Sequence, residues 1–195
     1  MGGGMYTRRY LALYAVVFVF FYALFQWVPS LWAEVLTAWS SSAAMNAMGM
    51  VSSFSVEGGL VSLSLTGGVR PVHVLIVREC SAIHVLGVIL GLVAPLRAPW
   101  SRKAAGAALG SALIYFMNVA RVIATVALTG YDVPPFTWLV TNPTVETYHY
   151  PISFLFGVAG VAATILAVDR LALPELGDFL ARLPENLMSI LRKTG

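Results

Sequence analysis

Three side chains suited to acyl-transfer chemistry stand far apart in this 195-residue chain: the thiol of Cys80, the guanidinium of Arg121 and the imidazole of His149. Cys80 is the only cysteine and sits in Arg78-Glu79-Cys80-Ser81-Ala82-Ile83-His84, where a polar, strand-like segment turns into an apolar helix. A cysteine is usually a small buried hydrophobe. At a helix N-terminus and near an arginine, however, a thiol ionises more readily and becomes a nucleophile. Glu79 acts in the opposite electrostatic sense, and is placed to cap the helix or orient Arg78 or Arg121. A single cysteine excludes an internal disulfide framework and any CxxC redox or zinc motif. These residue types point to a membrane-embedded cysteine peptidase or transpeptidase.

Three histidines compete as the base. A general base must come within hydrogen-bond reach of the proton it removes, and one on a separate element is easier to orient. That favours His149, in Glu146-Thr147-Tyr148-His149-Tyr150-Pro151. His84, one turn below Cys80 on the same segment, stays in competition, whereas His73 in a β segment reads as structural. Arg121 lies about eight residues from the outer end of its span, about 12 Å deep. Asn118 is one turn before it. An ionisable group at that depth is costly and needs a reason. It is either a structural arginine bonded to carbonyls or part of a buried polar site with Asn118.

These groups must be positioned by membrane helices. The chain is 58% hydrophobic and only 11% charged, where soluble domains carry roughly 25% charged residues. Apolar runs long enough to cross a bilayer predict about four spans, at 10–28, 80–95, 104–129 and 150–168. The first run is too long and aromatic for a signal-peptide core and no small-x-small cleavage site follows, so an uncleaved anchor is expected. The N-terminus also lacks the Ser/Thr of a myristoylation site. Arg8 and Arg9 precede the first run, and Arg97, Arg102 and Lys103 separate the second and third. Arg170, Arg182, Arg192 and Lys193 follow the fourth. The positive-inside rule then puts both termini in the cytoplasm and segments 29–79 and 130–149 outside. Trp27, Trp32, Trp100 and Trp138 suit interfacial anchors.

The reading is a single all-α integral membrane domain over 1–195. Its extracytoplasmic segment, 29–79, is expected to hold an amphipathic helix at 31–50 and a β-hairpin with a third strand at 54–56, 60–65 and 72–77. In the tail, 169–195, residues 174–193 predict a cytoplasmic amphipathic helix interrupted near Pro184. Gly87-x-x-x-Gly91 and Gly106-x-x-x-Gly110 let membrane helices approach closely. At 100° per residue, Gly87 and Gly91 each fall within about 20° of Cys80, as does Gly110 of Arg121 and Gly160 of His149. Those stripes would turn all three polar groups toward the bundle interior.

Taken in order, Glu-Cys-Ser-Ala-Ile at Cys80, Asn118-Val-Ala-Arg121-Val-Ile, and a histidine opening the next span resemble the exosortase/archaeosortase family. The likeness runs over about residues 51–167. It implies a multi-span cysteine transpeptidase of the cell membrane, with its site facing outside. Cys80 is then the nucleophile, Arg121 the essential arginine and His149 the third member. It also implies partners: surface proteins bearing a tripartite C-terminal signal of short motif, hydrophobic helix and basic tail, passed to a lipid or other anchor. The glycine that often follows Cys-Ser in the family is Ala82 here. The chain is also shorter than many relatives, which suggests a minimal catalytic core.

In the mechanism this implies, the Cys80 thiolate attacks a peptide carbonyl to give a thioester. Arg121 steadies the oxyanion and His149 shuttles the proton. The outer β segment is suited to binding the motif by strand addition. No metal or organic cofactor is expected, since there is no HExxH, no phosphate-cradling loop and no Cys/His cluster, and no nucleic-acid partner is expected. The alternative is a non-enzymatic substrate-binding or transport subunit in which Arg121 and Asn118 hold an anionic ligand. A thiol-redox protein lacks its second cysteine, and a lipid acyltransferase would share the thioester but not the donor.

Overall fold

The computed structural model describes residues 6–192, the side chains at 136, 187 and 189–192 excepted. Lys193 and the N-terminal five residues considered for lipidation lie outside it. Within the described residues, seven α-helices and a three-stranded sheet follow in the order α1 (Arg8–Trp27), α2 (Leu31–Ala47), β1 (Ser52–Glu57), β2 (Leu60–Leu65), β3 (Val72–Ile76), α3 (Ile83–Val93), α4 (Trp100–Gly130), α5 (Phe136–Leu139), α6 (Val145–Leu171) and α7 (Glu175–Arg192). Among the described residues α1, α4 and α6 are long and apolar enough to cross a membrane. The second expected span forms only the 11-residue α3, about 16 Å long against a hydrocarbon core of about 30 Å. Its start is delayed by a 3₁₀ turn at Arg78–Cys80 and by Ala82, whose φ is 56°.

Contacts group the chain into two compact units. One is built from α1, α3, the first part of α4, the last part of α6, and α7. Here carbonyls at and just beyond the C-terminal end of α3, which lack helical partners, are taken up by neighbours. Tyr14 Oη donates to Leu92 O (2.6 Å), Tyr10 Oη to Pro95 O (3.3 Å) and Lys103 Nζ to Ala94 O (2.8 Å). Gly87 and Gly91 do mark a close approach, but to α1. An added Cβ would lie 2.9 Å from Phe25 Cβ at the first and 3.0 Å from Phe18 Cδ2 at the second. The shared stripe with Cys80 does not survive, because the 3₁₀ turn and Ala82 break the helical phase between them. Helix α7 continues through Pro184 rather than being interrupted there. It is tied back by stacking of Phe179 on Tyr14 (4.1 Å) and by Asp169 Oδ1 accepting from Gly177 N (2.9 Å).

The other unit holds residues 29–83 and 114–161. Gly58 and Gly59, with φ of 58° and 82°, close β1 onto β2 in the type I′ geometry that two-residue hairpins favour. The strands pair antiparallel in the order β1-β2-β3, with Leu63 opposite Phe54 and Val74. Strand alternation sends Val61, Leu63 and Leu65 of β2, with Val72 and Ile76 of β3, into a core completed by Ala38 and Met45 of α2 and Val122 and Val126 of α4. Arg70 fastens the sheet to the end of α4. Its amide donates to Gly130 O (3.1 Å), its Nε to Thr129 O (3.0 Å), and its guanidinium pairs with Asp132 (2.8 Å).

Replacing Gly87 by leucine forces its side chain into Phe21 and Phe25 and is expected to cost about 1–3 kcal/mol, the usual range for overpacking. A lowered thermal midpoint in detergent, beside an unchanged midpoint for Gly157→Leu, where an added Cβ meets open space, checks it.

Candidate active site

Three elements of the second unit converge on one cavity of about 500 Å³, walled in part by Cys80, Arg121, Thr125, Glu146, His149 and His73. Cys80 arrives at the end of the 3₁₀ turn that follows β3. That turn is closed by Cys80 N donating to Val77 O (2.8 Å) and Ser81 Oγ donating to Arg78 O (2.7 Å). The thiol is half-buried. The main-chain carbonyl of Cys80 is gripped from α4: Asn118 Nδ2 donates to it at 2.7 Å and Arg121 Nη2 at 3.4 Å. Residues three apart on a helix share a face, which is why one stretch of α4 supplies both donors.

Arg121 links the three elements. Its Nη1 donates to Ser153 Oγ at 3.3 Å, and that oxygen lies 3.4 Å from His149 Nε2. The three positions named from the sequence thus line one cavity, and the sequence reading leaves out the serine that connects two of them. Ser153 follows His149 by four residues on α6, a spacing that could have singled it out. Among the described residues no carboxylate lies within salt-bridge range of Arg121.

The remaining candidates separate clearly. Asn118 is buried and holds the turn. Glu79 is exposed and does not line the cavity. His84 opens α3 in the first unit, with its Nδ1 buried and without a hydrogen-bond partner among the described residues, and it does not line the cavity. His73 is both structural and local to the site: its Nδ1 lies 2.6 Å from Ser64 Oγ on β2, and it lines the cavity wall. Among the described residues no His/Cys/Asp/Glu cluster could hold a metal ion.

The family model described as transmembrane exosortase (Exosortase_EpsH) matches residues 3–142. The chain belongs to that family. Archaeosortase A of Natronomonas pharaonis is 34% identical over 124 residues, 59% of this chain and 36% of that protein. This exosortase-family chain thus spans about a third of the relative it matches. No solved structure matches it. The matched region contains Cys80 and Arg121 and stops short of His149.

Membership also bears on Ala82. Left-handed backbone costs an L-residue about 1–2 kcal/mol, while glycine's extra unfolded freedom returns about 0.4–1 kcal/mol of that. Ala82→Gly is therefore expected to stabilise the chain by about 0.5–1 kcal/mol, read as a raised thermal midpoint in detergent.

Proposed function

We propose that this chain is a sorting transpeptidase of the cell membrane, acting through a Cys80 thioester. One observation carries the reading: Cys80, Arg121 and His149, from three separate elements, line a single cavity. The name of the archaeosortase relative supports the same class.

His149 takes the thiol proton and the Cys80 sulfur attacks the carbonyl carbon of the substrate peptide. Negative charge on the carbonyl oxygen is met by Arg121. A guanidinium has five N–H donors, and the two that hold Cys80 O and Ser153 leave others for the oxyanion. The C–N bond then breaks as His149 returns its proton to the departing amine. A lipid or other nucleophile, or water, releases the acyl group from sulfur. Ser153, between Arg121 and His149, keeps the imidazole turned toward this centre. The substrates are surface proteins with a C-terminal motif, hydrophobic helix and basic tail. The arginine distribution supports cytoplasmic termini and a site open to the outside.

Co-expression with a reporter carrying such a tail tests this. Cys80→Ser and Cys80→Ala are expected to abolish processing. Arg121→Lys should lower the rate about 10²–10³-fold, the usual effect of losing an oxyanion donor. His149→Gln should lower it about 10²–10⁴-fold, as for a lost general base. Processing that survives Cys80→Ala while failing in Arg121→Ala would instead favour a binding subunit that uses Arg121 and Asn118 for an anionic ligand.

A further inference from the structure

One wall of the cavity that Cys80 lines is made by four consecutive residues of β3, His73, Val74, Leu75 and Ile76. Side chains of a strand alternate between its two faces. A cavity that touches all four therefore lies along the edge of the strand, beside its backbone, and not against one face.

The register shows which backbone groups that edge offers. A type I′ turn at Gly58-Gly59 bonds Glu57 C=O to Leu60 N–H, so Glu57 and Leu60 form a hydrogen-bonded pair. Alternation along an antiparallel ladder then makes Ser55–Ser62 and Ser53–Ser64 the bonded pairs of β1 and β2. Residues Val61, Leu63 and Leu65 direct their backbone groups the other way, to Ile76, Val74 and Val72 of β3. His73 and Leu75 are left with N–H and C=O pointing off the sheet into the cavity. No backbone hydrogen bond outside the ladder engages either of them among the described residues. Proteins usually blunt such an edge with charge, proline or a covering element. β3 carries no charged residue, and its edge opens into a walled groove that runs on to the nucleophile.

The strand also has a direction relative to the membrane. Arg70, just before β3, is bound at Thr129 and Gly130, whereas Cys80 is bound at Asn118. That is a descent along α4 of about 18 Å, at 1.5 Å per residue. Resting on the reading that the substrate is an outer-surface protein held by a C-terminal membrane helix, its chain must descend in the same sense.

We propose that the residues preceding the scissile bond add to the sheet as a fourth strand, parallel to β3. They hydrogen-bond to the backbone of His73 and Leu75 and deliver the scissile carbonyl to Cys80. Main-chain pairing supplies the affinity, and the side chains of alternate substrate residues select the motif.

Alkylation of Cys80 tests this without turnover, and the lone cysteine makes the adduct unambiguous by intact mass. The probe is acetyl-Val-Thr-Val-Thr-Ala chloromethyl ketone, compared with chloroacetamide on the purified full chain in detergent. The peptide is expected to label Cys80 at least tenfold faster than chloroacetamide relative to a free thiol such as glutathione. N-methylation of one alternate set of peptide amides should remove that gain while methylation of the other set spares it. Leu75→Pro, which deletes an outward N–H without touching the β2 ladder, should remove the gain and leave chloroacetamide labelling unchanged. Phe54→Pro, on the opposite sheet edge, should keep the gain. If Leu75→Pro fails to fold, the alternation in the wild-type chain decides alone. Absence of the gain, or indifference to which amides are methylated, overturns the proposal. A gain for chloroacetyl-Ala-Val-Thr-Val-Thr-amide in place of the ketone overturns its direction. Cys80 labelled normally in a chain whose Cys80→Ala variant still processes the reporter would sink the catalytic reading and leave the strand result standing.

Discussion

The carbonyl of Cys80 lies where the backbone of this protein stops satisfying itself. β3 has ended, α3 has not begun, and the left-handed Ala82 prevents the two from merging. In an apolar setting, an unpaired carbonyl costs several kcal/mol. Asn118 and Arg121 meet that demand from α4, and in doing so they hold the proposed nucleophile against the residue proposed to stabilise its chemistry. Folding and the candidate chemistry therefore share one contact.

The same contact explains how an arginine survives about 14 Å inside α4, nine residues before Gly130 at 1.5 Å per residue. A charge at such depth must be bonded, yet a carboxylate partner would cancel it. Arg121 is bonded instead to neutral acceptors, a main-chain oxygen and the Ser153 hydroxyl. Two of its five N–H donors are engaged in this way, while its charge remains available to a thiolate or an oxyanion. Ser153 then passes the constraint on to His149, so the imidazole is oriented by α4 as well as by its own helix.

The sheet plays an equally specific part. Arg70 ties its loop to the end of α4, and the apolar face of β2 and β3 packs onto α2 and α4. β3 is thereby aimed along α4 at the cavity, with one edge bonded to β2 and the other left open. A five-residue strand on a rigid base is a better guide for an extended chain than a loop would be, because its backbone geometry is set before anything binds.

Much of this was legible in the amino-acid order. Hydrophobic run length and the arginine distribution marked a membrane protein. Strand alternation around paired glycines marked the sheet, and the rarity of Cys80, Arg121 and His149 in apolar surroundings marked the candidate site. Each of these is a local cost, visible because local physics makes such residues expensive unless they are used. What only the tertiary structure decided was relational. Helical phase placed Cys80 on a stripe with Gly87 and Gly91. A single positive φ at Ala82 cut that phase, shortened α3 and turned the glycines toward α1. Ser153, an ordinary serine in sequence, became the connector because α4 and α6 bring Arg121 and His149 to either side of it. Such partners carry no signal of their own, since their role exists only once distant segments have packed together.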